Sequence, residues 1–304
     1  MRYRPFGSSG FVVSALSLAL RDDPARTRPE QWTRLIYEAL EHGINTFEVR
    51  GRSPAMADGL AQALQTVDRN LIFIAWRVGR LPSGSAPVRD FSAAGIQGQI
   101  RSILARTGLG YLDVAMLDDP GETELPLEGL DALDELKKAG AVHFIGVGGS
   151  DDGAIDAYIS TGRFDVIAAS FNLTSGWRER NRVRSAVQRD MVVIGYDPYP
   201  VEFHRSVTEA LKRGKGLFNR KPSPLEGVGT YAFLDQTPNW TGEQICLAYA
   251  VTEPALATVQ IDAPALERLD ELAEAVNREL PPGLSAQIEM ARFGPSPEVP
   301  AKSA

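Results

Sequence analysis

The stretch PLEGLDALDELKKAGAVHFIGVGG, residues 126–149, decides the fold. Leu127, Leu130, Leu133 and Leu136 recur every three residues and form one apolar stripe, which predicts an amphipathic helix over 126–139. The run 141–147 is short, apolar and rich in Val, Ile and Phe, and it stops at Gly148-Gly149. That composition predicts a buried strand. A helix delivered into a buried strand within a couple of residues is the unit from which parallel α/β sheets are built.

Working outward, the same alternation continues in both directions. Upstream lie strand-like runs at 112–117, 71–78 and 45–49, and a longer one at 12–20. Helical windows separate them at 91–106, at 54–65 with Met56, Leu60 and Leu64 in step, and at 32–42, which His42-Gly43 stops. Thr27 and Glu30 stand in capping-box spacing before the first of these helices. Residues 79–89, with Pro82, Gly84 and Pro87, read as a loop. Downstream, strands at 164–171, 191–196 and 256–261 alternate with helices at 152–160, 177–187, 243–252 and 264–276. Residues 201–239 read as a Gly- and Pro-containing stretch with one helix. About eight strands with helices between them predict parallel strands joined by right-handed crossovers. The fold class is therefore α/β, a single (β/α)8 TIM barrel over 1–293. Residues 294–304, rich in Pro, Ser and Ala with little to bury, read as a flexible C-terminal tail. A doubly wound open sheet is the rival, weakened because no Gly-x-Gly-x-x-Gly follows a strand.

The chain has 304 residues, 43% hydrophobic and 23% charged, with a formal charge of −7. One barrel uses most of that length. Lys and Arg are scattered, so no nucleic acid is expected as a partner. Cys246 is the one cysteine, in an apolar helical setting, so it reads as a buried thiol. No Cys/His spacing suits zinc, and no metal site is expected. No apolar run is long enough to cross a bilayer. The first residues lack a signal-peptide pattern, so the expected location is cytoplasmic, with no membrane partner. His143 lies within an apolar strand and reads as a core residue, His42 as a helix-end residue, and His204 as a loop residue.

Four segments in order carry a resemblance. Residues 1–18, ALEHGINTFE at 39–48, GLGYLDVAMLDDP at 108–120 and LDELKKAGAVHFIGVG at 133–148 resemble the aldo-keto reductase superfamily. The resemblance runs from residue 1 to about residue 276. It implies an N-terminal β-hairpin, a site at the carboxyl ends of the strands, and carbonyl reduction by hydride from NADPH. It also implies a tetrad of Asp, Tyr, Lys and His. The matching positions here are Glu48, Ser53, Arg77 and Asp118, so this is a divergent member with every tetrad position changed. Glu48 and Arg77 keep an acid facing a base. Ser53 removes the phenol, whose pKa of about 10 neighbours can lower. Asp118 sets an anion where negative charge would develop. Losing acid catalysis forfeits roughly 100- to 10,000-fold in rate.

The positions that would hold the cofactor change too. Gly148 and Gly149 stand where the family has Ser-Asn, Ala168 where it has Gln, and Asp197 where it has Ser, while Tyr196 keeps the stacking ring. Asp262 stands at the end of the eighth strand. Tyr196, Asn172, Ser170 and Arg268 are the candidate cofactor-binding residues, with NADP(H) as cofactor only if the family chemistry survives. Any surviving pocket would be lined by Tyr196, Arg77, Asn172 and Ser170. The basic run 213–221 is either an anion site or a solvated loop. Glu48 with Arg77 is either a working pair or an inherited salt bridge. Asp118-Asp119 is either a carboxylate at the mouth or turn chemistry, and only one of the two can point inward. Trp76 should point away from Arg77, toward the helices.

Three functions follow. The leading one is a small-molecule-binding or regulatory homologue with lost or strongly weakened reductase activity, its ligand at the C-terminal mouth and a protein partner not excluded. The second is a non-redox isomerase or lyase using Glu48, Asp118 and Arg77. The third is an atypical but active oxidoreductase in which Tyr196, Tyr199 or a protonated Asp118 donates the proton.

Overall fold

A computed structural model describes residues 1–81, 88–200, 203 and 229–293. The chain opens with an antiparallel hairpin, β1 (Tyr3–Pro5) and β2 (Val12–Ser14). Eight parallel strands then close a barrel: β3 (Leu16–Leu20), β4 (Thr46–Val49), β5 (Phe73–Val78), β8 (Leu112–Asp118), β9 (Val142–Gly148), β10 (Val166–Ser170), β11 (Val192–Tyr196) and β12 (Leu256–Asp262). The strand β12 pairs with β3 to complete the ring. Between the strands run α1 (Pro29–Glu41), α2 (Pro54–Ala63), α3 (Ala93–Thr107), α4 (Leu127–Lys138), α5 (Asp152–Thr161), α6 (Trp177–Val187), α7 (Gly242–Val251) and α8 (Leu266–Asn277), and α9 (Leu284–Phe293) follows. No helix among the described residues is long and apolar enough to cross a membrane.

Alternation along each strand creates two cores. Outward positions such as Leu18, Phe47, Ile74 and Ile145 pack on the helices. Inward positions Phe73, Ala75, Val114, Met116, Val166, Ala168, Val192 and Ile194 fill the barrel. The hairpin plugs the amino-terminal end, where Phe6 and Val13 join that interior core. Phe6 lies 4.4 Å, ring to ring, from Phe73. Arg4 locks the plug to the chain's far end, donating to the carbonyls of Glu253 at 3.0 Å and Leu256 at 2.6 Å, and to that of Val251. A third apolar cluster seats α9, through Leu284 and Ile288, against Cys246 and Tyr249 of α7. Cys246 is fully buried, as its setting suggests, and burial pushes its thiol pKa well up.

Three local expectations are corrected. The first helix begins at Pro29, not in a Thr27/Glu30 box: Gln31 Oε1 accepts from the Arg28 amide at 3.0 Å. Proline at the first helical position has no N–H to satisfy, which sets the boundary one residue later. Within 79–89, the described ends form a small hairpin, β6 (Arg80–Leu81) and β7 (Val88–Arg89), instead of plain loop. The helix α9 was not expected. The helix placed within 201–239, the basic run 213–221, His204 and the tail from 294 lie outside the described residues, although 229–236 form a 3-10 helix.

Candidate functional site

At the carboxyl ends of the strands the inward positions turn polar. Glu48 ends β4's inward row, Arg77 that of β5, Asp118 that of β8 and Gly148 that of β9. These residues and Gln260 of β12 form one cluster. Arg77 Nε donates to Glu48 Oε1, and Gln260 Nε2 donates to Glu48 Oε2 at 2.6 Å. Arg50 Nε stands 3.4 Å from Glu48 Oε1. Arg77 Nη1 donates to the Gly148 carbonyl at 2.7 Å and lies 3.5 Å from Asp118 Oδ1. Glu48 is 1% exposed, so both its oxygens are spent inside the protein. Burial pushes its carboxyl pKa up, but Arg77 and Arg50, with hydrogen bonds from Arg77 and Gln260, outweigh burial and hold it below the ordinary value. Burial pulls Arg77 down, and Glu48 and Asp118 more than reverse that.

Gly148 explains how a guanidinium fits here. Its position pairs with Ala168 across the barrel wall. A Cβ at 148 would stand 2.7 Å from the Ala168 Cβ and 2.9 Å and 3.0 Å from the two Arg77 Nη atoms. Any side chain at 148 therefore competes with the Arg77 fork. Gly149 is equally constrained, since a Cβ there would meet Asp119 Oδ1 at 2.5 Å. Asp119 adopts φ 56° and turns toward the Ser150 backbone and Arg80. Its carboxylate accepts from the Ser150 amide at 2.7 Å and pairs with Arg80 Nη2 at 2.6 Å. Asp118 is thus the inward carboxylate and Asp119 the turn residue, which combines the two expectations for that pair.

Ser53 caps α2 without a side-chain cap bond, and its amide donates to Asp22 Oδ1 at 2.7 Å. It lines a cavity of about 470 Å³ together with Arg77 and Asp118. Trp76 points outward between the helices, as alternation predicts, and lines the same cavity. Tyr196 donates to the Gly149 carbonyl at 3.0 Å. Burial, then Asp197, pushes its phenol pKa up, and burial takes Tyr199 up to about 12.

Tyr196 and Arg268 share a second cavity of about 310 Å³ between β11, β12 and α7. Asn172 does not join either cavity. Its Oδ1 accepts from the Thr174 amide at 3.0 Å and its Nδ2 donates to the Asp197 carbonyl at 3.1 Å, so it shapes a turn. Ser170 lines neither cavity. The four residues expected to share one pocket are therefore divided. Gln260, Arg50 and Arg80 were missed. Gln260 was visible in principle, a lone amide within LATVQID on a buried strand. No group of His, Cys, Asp and Glu suited to a metal occurs among the described residues.

A closed ring of eight parallel strands, plugged at one end, with charged side chains gathered at the strand carboxyl ends, defines a (β/α)8 barrel. The chain belongs to the aldo/keto reductase family, whose sequence pattern matches residues 17–292. It is 24% identical over 300 residues to "Uncharacterized oxidoreductase YqkF" of Bacillus subtilis (strain 168), covering 91% of this chain and 92% of that protein. Among solved structures it superposes on the aldo-keto reductase AKR11C1 of Bacillus halodurans. The TM-score is 0.78 for the holo form and 0.70 for the apo form, each at 20% identity with 96% of both chains covered. At that identity the structural likeness speaks for the fold.

Proposed function

We propose that this chain is an aldo-keto reductase family barrel whose NADPH-dependent carbonyl reduction is lost or strongly weakened, and whose mouth binds a small molecule. The observation that carries this reading is the Arg77 cluster. Its guanidinium is held by Glu48, Gly148 and Asp118, in space that exists because residue 148 has no side chain. A lysine-like group free to lower a phenol's pKa is missing, and Ser53 is no phenol. The two tyrosines nearby are pushed up, away from acid chemistry near neutrality.

The described residues fit a dinucleotide poorly. Gly148 and Gly149 offer no side-chain donors to a carboxamide. The cavity holding Tyr196 and Arg268 has two arginines against three carboxylates, Asp197, Glu243 and Asp262, a formal excess of one negative charge. Both arginines are engaged, Arg21 with Asp262 and Arg268 with Glu243. Phosphates entering there would meet repulsion of order 1 kcal/mol per solvated carboxylate. The isomerase reading loses Glu48 as a base, because a carboxylate with both oxygens hydrogen-bonded and 1% exposure cannot reach a substrate proton, and only Asp118 is left to serve it.

The test is a pair of measurements on the purified chain: NADPH binding by fluorescence quenching, and NADPH oxidation with a panel of aldehydes and ketones at high enzyme. The expected result is no micromolar binding and no turnover above background. Micromolar binding with hydride delivery to any carbonyl overturns the reading.

A further inference from the structure

The larger cavity does not lie over the barrel axis. It runs from the mouth down the seam between α2 and α3, and its two ends differ in chemistry. The mouth end carries Arg50, Arg52, Arg77 and Arg80, with Asp118. The deep end is apolar and small-walled: Trp76 and Val49 from the strands, Met56 and Ala57 from α2, Gly98 and Ile103 from α3. A Cβ built on Gly98 meets nothing within 4 Å, so this side of the seam stands open. The pair Asp58–Arg106, at 2.9 Å, bridges α2 to α3 and braces the seam without filling it.

The charges at the mouth end are not fully answered. The lining carries five guanidinium groups and two carboxylates, and Glu48, Asp58 and Asp119 stand behind it as ion-pair partners. Arg80 has Asp119 and Arg106 has Asp58. Arg77 has Glu48 and Asp118, and Arg50 shares Glu48 with it. The Arg52 side chain has no partner among the described residues. Arg50 Nη1, Arg77 Nη2 and Gln99 Nε2 are buried and have no acceptor. Buried donors without acceptors are costly and rare in native proteins. Arginine forks match flat oxyanions, above all carboxylates, and an indole offers a face for a flat apolar group. At about 470 Å³ the cavity is within the size range of small-molecule sites.

We propose that the α2–α3 seam is the binding site of a small molecule with an oxyanion head and a flat apolar body, its head at Arg50 and Arg52 and its body over Trp76 against Gly98. This names the ligand class of the mouth and rests on the reading of that mouth as a binding site. It requires no dinucleotide.

The experiment is calorimetric titration of the full chain, without nucleotide, with 2-naphthoate, 2-naphthyl phosphate and the neutral 2-naphthalenemethanol. The proposal expects micromolar binding of at least one anion and about 10-fold or weaker binding of the alcohol, the worth of one charge-assisted hydrogen bond. Whichever anion binds more tightly identifies the head group as carboxylate or phosphate. Arg52→Ala should weaken the anion about 10-fold. Gly98→Leu, which places a side chain in the open space and improves a helix interior, should abolish binding without lowering Tm. Equal binding of alcohol and anions, no heat at millimolar ligand, or binding indifferent to both substitutions would overturn the proposal. Its fate is separable from that of the lost reductase chemistry. Binding of this kind in a chain that also oxidises NADPH leaves the seam assignment standing and removes the loss of activity. Absence of both removes the seam assignment alone.

Discussion

Gly148→Ala tests whether the barrel mouth is built around the Arg77 guanidinium. Carbon atoms in ordinary contact sit about 3.5–4.0 Å apart. The added methyl would stand 2.7 Å from the Ala168 Cβ and 2.9 Å and 3.0 Å from the Arg77 nitrogens, with the guanidinium held by Glu48 and the Gly148 carbonyl. Overpacking of this kind costs about 1–3 kcal/mol, and tethering of the guanidinium argues for about 2. Arg77→Lys alone keeps the charge facing Glu48 but loses the fork to the Gly148 carbonyl and Asp118, costing about 1–2 kcal/mol. Two of the three close contacts lie on the guanidinium. Together the substitutions should therefore cost less than their sum, by about 1 kcal/mol, the contact with Ala168 remaining. The assay is urea unfolding followed by circular dichroism for the four proteins, compared at a common m-value. Costs that simply add, within about 0.5 kcal/mol, would show that residue 148 is glycine for some reason other than Arg77.

Other outcomes follow from the same geometry. Glu48→Gln strands the buried Arg77 charge and should cost about 3–5 kcal/mol in urea unfolding, where a cost under about 1 kcal/mol would deny the cluster a structural role. Because the folded pKa of Glu48 is depressed, its contribution is fully present above the unfolded value of about 4.3 and fades as pH falls through the lower folded value. The parent chain should then lose stability below about pH 4.3 more steeply than Glu48→Gln, and parallel acid profiles would contradict that sign. Phe6→Ala empties the plugged end of the barrel and should lower stability by about 3–5 kcal/mol, read by thermal and urea unfolding. Gly98→Ala, on an exposed stretch of α3 with open space beyond, should raise stability by about 0.5–1 kcal/mol, and destabilisation would mean the seam is tighter than drawn.

Most of the barrel was legible because its signals are long. Strands of five to seven mostly buried residues and helices with leucine stripes, such as Leu130, Leu133 and Leu136, announce themselves in any order, although Leu127, read into the same stripe, is exposed. Short signals failed. Two-residue strands such as Arg80–Leu81 cannot display alternation. The helix α9 buries little besides Leu284 and Ile288 and leaves Met290 exposed, so its stripe is too thin to stand out after Pro281, Pro282 and Gly283. At the site, period-two alternation separated Arg77 from Trp76 and required that only one of Asp118 and Asp119 face in, but it did not bring Ser170 of β10 into either cavity. Positions beyond strand ends were not. Asn172 was expected in a pocket, but its side chain is drawn to the nearest backbone, the habit of Asn in turns. Gln260 was passed over because a lone amide in an apolar strand gives no hint of which carboxylate lies across the barrel.

The N-terminal plug has a consequence for assembly. Arg4 holds carbonyls from Val251 to Leu256, and the backbone at Gly7 passes so near Val192 that a methyl there would sit 2.8 Å from it. The hairpin thus depends on partners some two hundred positions further along the chain. Seating the hairpin therefore rests on contacts of long sequence separation, the kind that slow folding. A bulky group attached to the hairpin would burden its seating, whereas the opposite rim, at the carboxyl ends of the strands, would not feel it.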